Sequence, residues 1–184
     1  MITAPPRPVA PLAVTHLSAA PRAPRPSGRF PLSPRPAGAR DADALAGLSA
    51  PFVRSGALRE RPLHVYAARA ADFLVVDAPD GSLDACLALR THGEGAGESG
   101  RSGVLYNFCV APHRQGSGLG ARLLEAALAR SRAQSLTALF TATTGSGRLF
   151  LRYGFEPTRP SLAPASWARN LDPRRGARVL ARAV

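Results

Sequence analysis

The chain has 184 residues and a formal net charge of +12, with 24 cationic side chains that are all arginine. That length suits one domain of ordinary size plus a tail. Without lysine there is no P-loop, which needs Gly-Lys-Ser/Thr, and no apolar run is long enough for a secretory leader or a membrane span.

Residues 1–40 hold 10 of the 18 prolines, 6 of the 24 arginines and none of the 12 acidic residues. Such a segment cannot bury enough apolar surface to offset its ordering entropy, so it is expected to be a disordered tail. Residues 41–184 then form the domain. Half of the net charge lies in the tail; the rest suits an anionic small-molecule partner. No basic helix with interleaved aromatics and no zinc spacing points to nucleic acid. Cys86 and Cys109 sit in apolar runs without a Cys-x-x-Cys pair, which reads as buried, reduced thiols in a cytoplasmic protein. Four scattered histidines form no metal constellation, so no metal is expected.

Along the domain, Leu45, Leu48, Phe52 and Val53 fall at helical spacing behind Asp41 and Asp43, and residues 61–70 suit a second short helix. The runs 72–77 and 82–90 flank Asp80-Gly81, a hairpin signal. A mobile glycine-rich loop is expected over 91–103. A strand at 104–110 ends before Pro112, and Ala121–Arg130 has helical periodicity. A strand at 136–141, a short helix at 145–153 and a closing strand at 176–184 complete the order α-α-β-β-β-α-β-α-β. Hairpin pairing first and helix alternation later imply a mixed α/β (α+β) architecture, a central mixed sheet flanked by helices.

The segment Val110-Ala-Pro-His-Arg-Gln115-Gly-Ser-Gly-Leu-Gly-Ala121 carries the chemistry. Glycines let the backbone approach an anion, and the first N–H groups of the following helix lack intrahelical partners. Pyrophosphate meets both conditions. A Rossmann turn would need Gly-x-Gly-x-x-Gly and a strand ending in an acid, neither of which is present. The remaining pattern, (Gln/Arg)-x-x-Gly-x-(Gly/Ala) behind Val-x-Pro, resembles the acetyl-CoA loop of the GNAT N-acetyltransferases.

The resemblance extends over residues 40–184 and is strongest to the acetyltransferase domain of N-acetylglutamate synthases. Three stretches carry it: Phe52-x-x-x-Gly56-x-Leu58-x-x-Arg61 with the hairpin leading to Cys86; Thr143-Thr144 before Phe150-Leu-Arg-Tyr153-Gly154-Phe155; and Asp172-Pro-Arg-Arg175-Gly-Ala-Arg178-Val-Leu180. It implies the GNAT acyl-CoA fold, acetyl-CoA as co-substrate and transfer to the amine of a small acceptor such as glutamate. The implied cofactor residues are Phe108, Cys109, Val110, Gln115, Gly116, Ser117, Gly118, Leu119, Gly120, Ala121 and Phe150. Arg61 and Arg175 are the implied carboxylate binders. In the synthases the C-terminal element reads close to Arg-x-Ser-Lys; here Ala177 removes the hydroxyl, which leaves another amine, an antibiotic or a protein N-terminus, as an alternative acceptor.

The catalytic acid and base are less legible. The family's usual tyrosine, four residues before Gly-Phe, is Phe150 here, and Tyr153 is the nearest substitute. Strand 104–110 has no carboxylate, which leaves Tyr106, Glu94, Glu98 or His113 as base candidates. These gaps keep a non-catalytic acyl-CoA-binding module as the rival reading. The assembly, monomer or homodimer, is left open.

Overall fold

The computed structural model describes residues 33–93 and 100–184. The tail before residue 33 and the base candidates Glu94 and Glu98 lie outside the described residues. A seven-stranded sheet runs in the order β1-β2-β3-β4-β5-β7-β6. The first four strands are β1 (Arg35–Pro36), β2 (Phe73–Asp77), β3 (Leu83–His92) and β4 (Ser102–Val110), each antiparallel to the next. β5 (Ala138–Thr143) lies parallel to β4, and β7 (Arg178–Ala183) lies antiparallel between β5 and β6 (Glu156–Pro157). Helices α1 (Ala42–Arg54), α2 (Leu63–Ala68), α3 (Leu119–Ala133), α4 (Arg148–Arg152) and α5 (Ala165–Ala168) surround it. This is the expected mixed sheet flanked by helices.

Three details differ from the sequence reading. The sheet begins at Arg35, ahead of the compositional boundary at residue 40. Arg35 is held there by Asp41 and Asp77 at 2.9 and 2.6 Å. The glycine-rich stretch is shorter than expected, because β3 runs to His92 and β4 starts at Ser102. Helix α5 had no sequence signal, since its four residues behind Pro164 are too few for a helical period.

Side-chain alternation divides the core into two layers. Leu74, Val76, Leu87, Leu89 and Leu105 pack against Leu123, Leu124 and Leu128 of α3. Phe73, Val75, Cys86, Ala88 and Cys109 face Leu45 of α1 and Tyr66 of α2. β2 and β3 are therefore apolar on both faces, which explains their continuous apolar runs. The two cysteines are buried and unbridged. Helix α4 has five residues, too few to be stable alone in water; Phe150, edge-on to Phe108 and Phe155, anchors it.

β4 and β5 pair only from Ser102–Leu105 against Ala138–Thr141. Gly103 lies in that paired half, where a Cβ would come within 2.7 Å of Leu136 and Leu139 side chains. From Tyr106 onward β4 separates from β5, leaving an open gap with α3 beginning at its mouth.

Candidate active site

On the α3 side of the gap lies a cleft of about 420 Å³. Its floor is Phe108, Val110 and Leu149, and its rim is the segment after β4. Gly116 and Gly118 hold φ of +81° and +86°, and beyond each there is open space. Only glycine adopts left-handed φ without strain, and between the two the Ser117 N–H donates to the Arg114 carbonyl at 3.2 Å. Arg122 is the first α3 residue whose N–H reaches a helix carbonyl, that of Gly118 at 3.1 Å. The amides of Leu119, Gly120 and Ala121 therefore remain at the positive end of a fifteen-residue helix. Gln115 braces the segment through Nε2 to the Val110 carbonyl at 3.3 Å.

Of the cofactor residues implied by sequence, Phe108, Val110, Gln115, Gly116, Gly118, Leu119, Gly120 and Ala121 line this cleft. Three do not. Cys109 turns its thiol into the α1 layer, where a hydrogen bond with Cys86 and burial raise its pKa far above an ordinary thiol. Ser117 donates its hydroxyl to the Arg114 carbonyl at 2.5 Å. Phe150 is only 7% exposed and belongs to the core. The sequence reading missed two cations on the rim, Arg114 and Arg152. Arg114 Nε stands 3.2 Å from the carboxylate of Asp84, which is buried in β3 beneath the loop. Cations beside a glycine-rich loop were the available signal, hidden by the abundance of arginine.

On the opposite side of β4 lies a cavity of about 720 Å³, bounded by α2, β3, β4, α5 and the turn before β7. Arg61 and Arg175, the implied carboxylate binders, both line it, as do Arg59, Arg69 and Arg90. Arg175 Nη2 donates to the Gly56 and Ala57 carbonyls at 2.7 and 2.9 Å, stapling the α1–α2 connection to the C-terminal turn. Arg178 does the same for the β5–α4 loop, through the carbonyls of Gly145 and Ser146. Arg90 is paired with Asp72 at 3.1 Å, which cancels its charge locally. Arg61 has no acidic partner among the described residues. Its guanidinium lies 5.3 Å from the Tyr106 ring centroid and donates to Asn107 Oδ1 at 3.0 Å.

Both candidate catalytic tyrosines have carboxylate partners for their hydroxyls. Tyr106 lines the cavity, but its hydroxyl donates to Asp72 at 2.7 Å and accepts from Arg90. Burial and that carboxylate push its pKa above the phenol range, so it is a poor proton acceptor. Tyr153 lines neither cavity; its hydroxyl donates to Glu125 of α3 at 2.6 Å on the outer surface. It caps the C-terminal end of α4, its ring partly packed against the α3-side core. His113 is exposed and stands 3.4 Å from Asp84, outside the arginine-lined cavity. Among the described residues, no group of three or more His, Cys, Asp or Glu side chains suits a metal. Among them also, no helix is long and apolar enough to cross a membrane.

Comparison with known proteins agrees with this geometry. Residues 69–157 match the family model of the acetyltransferase (GNAT) domain. The amino-acid acetyltransferase of Pseudomonas fluorescens is 30% identical over 150 residues, which cover 82% of this chain and 33% of the relative. The chain thus spans about a third of the length of the curated relatives it matches. N-acetylglutamate synthase from Neisseria gonorrhoeae, solved with coenzyme A and N-acetyl-glutamate, superposes with a TM-score of 0.73 at 26% identity, covering 82% of this chain and 34% of that one. A Mycobacterium tuberculosis protein solved with CoA shares the fold at a TM-score of 0.66 and 20% identity, with 98% of its chain covered. The amide-rimmed cleft, the opened sheet and the family match lead to one conclusion: this chain carries a GNAT acetyltransferase domain.

Proposed function

We propose that the protein transfers the acetyl group of acetyl-CoA to the amine of a small acceptor bearing a carboxylate, an amino acid such as glutamate. One observation carries this reading: an amide-rimmed cleft and an arginine-lined cavity lie on either side of the half of β4 that has no β5 partner. The amides of Gly116, Gly118, Leu119, Gly120 and Ala121 suit the pyrophosphate, and the open space beyond Gly116 and Gly118 admits it. Arg152 adds positive charge for the remaining phosphate, and Arg114, its charge balanced by Asp84, lines the same rim. The free backbone edge of 106–110 takes the pantetheine arm, and an amide at that edge polarises the thioester oxygen.

Arg61 and Arg175 draw the acceptor's carboxylate into the cavity, so its amine meets the thioester through the gap. The amine nitrogen attacks the carbonyl carbon; the new C–N bond forms as the C–S bond breaks, and the proton of the amine passes to water. A thiol with a pKa of about 8.5 leaves tolerably as the thiolate, so Phe150 in place of a tyrosine lowers the rate without abolishing the reaction. Similarity to amino-acid acetyltransferases supports this class of acceptor. A larger amine is the second reading. It is favoured by Ala177, which offers no hydroxyl, and by a cavity of about 720 Å³ that exceeds what one amino acid fills.

Thiol release from acetyl-CoA against a panel of amino acids and amines tests the proposal. Turnover is expected with acid-bearing amines first. CoA binding without turnover of any amine would make the domain a binding module.

A further inference from the structure

Asn107 is one of two non-glycine residues with positive φ among those described, at +50°. It sits where the β3–β4 ladder slips: Ala88 faces Tyr106 and Cys86 faces Cys109, so Asn107 and Phe108 together oppose Leu87. This bulge breaks the alternation of β4. Tyr106 and Asn107 both turn toward the α1–α2 layer, while Phe108 turns toward α3. Asparagine tolerates the left-handed region better than other side chains, and bulges are a known means of re-aiming a residue.

The carboxamide has one orientation. Ser49 Oγ donates to the Leu45 carbonyl at 2.7 Å, so it can only accept from Asn107, and Nδ2 lies 2.9 Å away. Oδ1 must then face the cavity, where it accepts from Arg61 Nη1. Nη1 also donates to the Arg59 carbonyl at 3.3 Å, which uses both of its hydrogens. Among the described residues Nε and Nη2 have no partner, and these two N–H groups form the edge of a guanidinium that grips a carboxylate bidentately. The guanidinium also lies over the ring of Tyr106, 5.3 Å from its centroid.

We infer that Asn107 is a positioning residue. It aims Arg61 at the acceptor's carboxylate without neutralising its charge, and it ties that grip to the bulge in β4 beside the opening of the sheet. A carboxylate at this position would hold the arginine as well but would compete with the acceptor. The inference rests on the acceptor reading of the cavity.

The test is steady-state kinetics on the full chain with glutamate, or with whichever acid-bearing amine is turned over best, read as separate KM values for acceptor and acetyl-CoA. Asn107→Gly keeps the left-handed backbone and removes the carboxamide. It should raise the acceptor KM about tenfold, the scale of one lost hydrogen bond to a charged group, and leave the acetyl-CoA KM within about twofold. Asn107→Asp should raise the acceptor KM at least as much, because it cancels the charge of Arg61. Ser49→Ala frees the carboxamide from its anchor without touching β4 and should give a smaller rise of the same kind. In an Arg61→Ala background, Asn107→Gly should have no further effect on the acceptor KM. Equal effects of Asn107→Gly in both backgrounds, or parallel movement of both KM values, would overturn the inference. An acceptor KM unmoved by Arg61→Ala would instead remove the acceptor reading, and the inference with it.

Discussion

On one side of β4 a single continuous segment, residues 110–121, presents backbone amides around glycines; on the other, side chains from separate elements converge around arginines. The first site depends on backbone conformation and on where a helix begins, both written in local spacing. The second depends on tertiary folding that brings Arg61 and Arg175 together across more than a hundred residues of sequence. The two are therefore vulnerable to different substitutions, and they can be perturbed separately.

The largest effect should come from the backbone-built side. Gly118→Val imposes a β-branched side chain at φ +86° and blocks the open space before α3. Acetyl-CoA affinity should fall about a hundredfold by calorimetric titration, since strain of about 1–3 kcal/mol adds to lost amide contacts. Retained affinity would mean that the cleft is not the cofactor site. On the side-chain-built side, Arg61→Ala should raise the acceptor KM about tenfold to a hundredfold, from a lost charged interaction of about 1.5–3 kcal/mol. CoA affinity should be unchanged in the same protein.

A substitution below both cavities should blur the distinction. Gly103→Ala forces a Cβ into Leu136, Leu139 and Leu89 at 2.7–2.8 Å where β4 and β5 are joined. Overpacking of that kind costs about 1–3 kcal/mol, so the midpoint of denaturant unfolding should fall and both substrates should bind less well. An effect on one substrate alone would show that the paired half of the strand does not support both sites equally.

The same contrast governs what could be read in advance. The glycine segment, its proline and the helix after it are local features, and their cleft was legible down to most of its residues. Phe150 is buried rather than on the cleft wall, because helical spacing tells which face a residue occupies, not whether an aromatic neighbour such as Phe155 covers it. Asn107 went unnoticed because plain alternation in β4 puts it on the opposite face, and only the register shift against Leu87 reverses that. The wall formed by Trp167 and Asn170 follows prolines that interrupt any periodic pattern. Tyr106 was visible as a candidate, but the Asp72 that commits its hydroxyl comes from another strand connection altogether.

Two smaller effects refine the account. The Arg35 guanidinium holds the Asp41 carboxyl at about 2, below its ordinary 3.8. A lowered folded-state value stabilises above the unfolded value, and that stability is lost as pH falls from about 4 toward 2. Thermal unfolding across that interval should therefore be steeper in pH for the native protein than for Asp41→Asn; identical slopes would detach β1 from the domain. Smallest of all, Tyr106→Phe should lower kcat no more than a few-fold and leave the limbs of its pH profile in place, because the phenol does not titrate in the working range. Loss of a limb would restore Tyr106 as a proton-transfer group.

The most direct test of two distinct half-sites serving one transfer reaction is a crossed measurement of both KM values in Gly118→Val and Arg61→Ala. Each variant should raise the KM of its own substrate alone, acetyl-CoA for the first and the carboxylate-bearing amine for the second, with turnover retained in both. Equal rises of both values in either variant, or turnover that ignores the acceptor's carboxylate, would contradict the account.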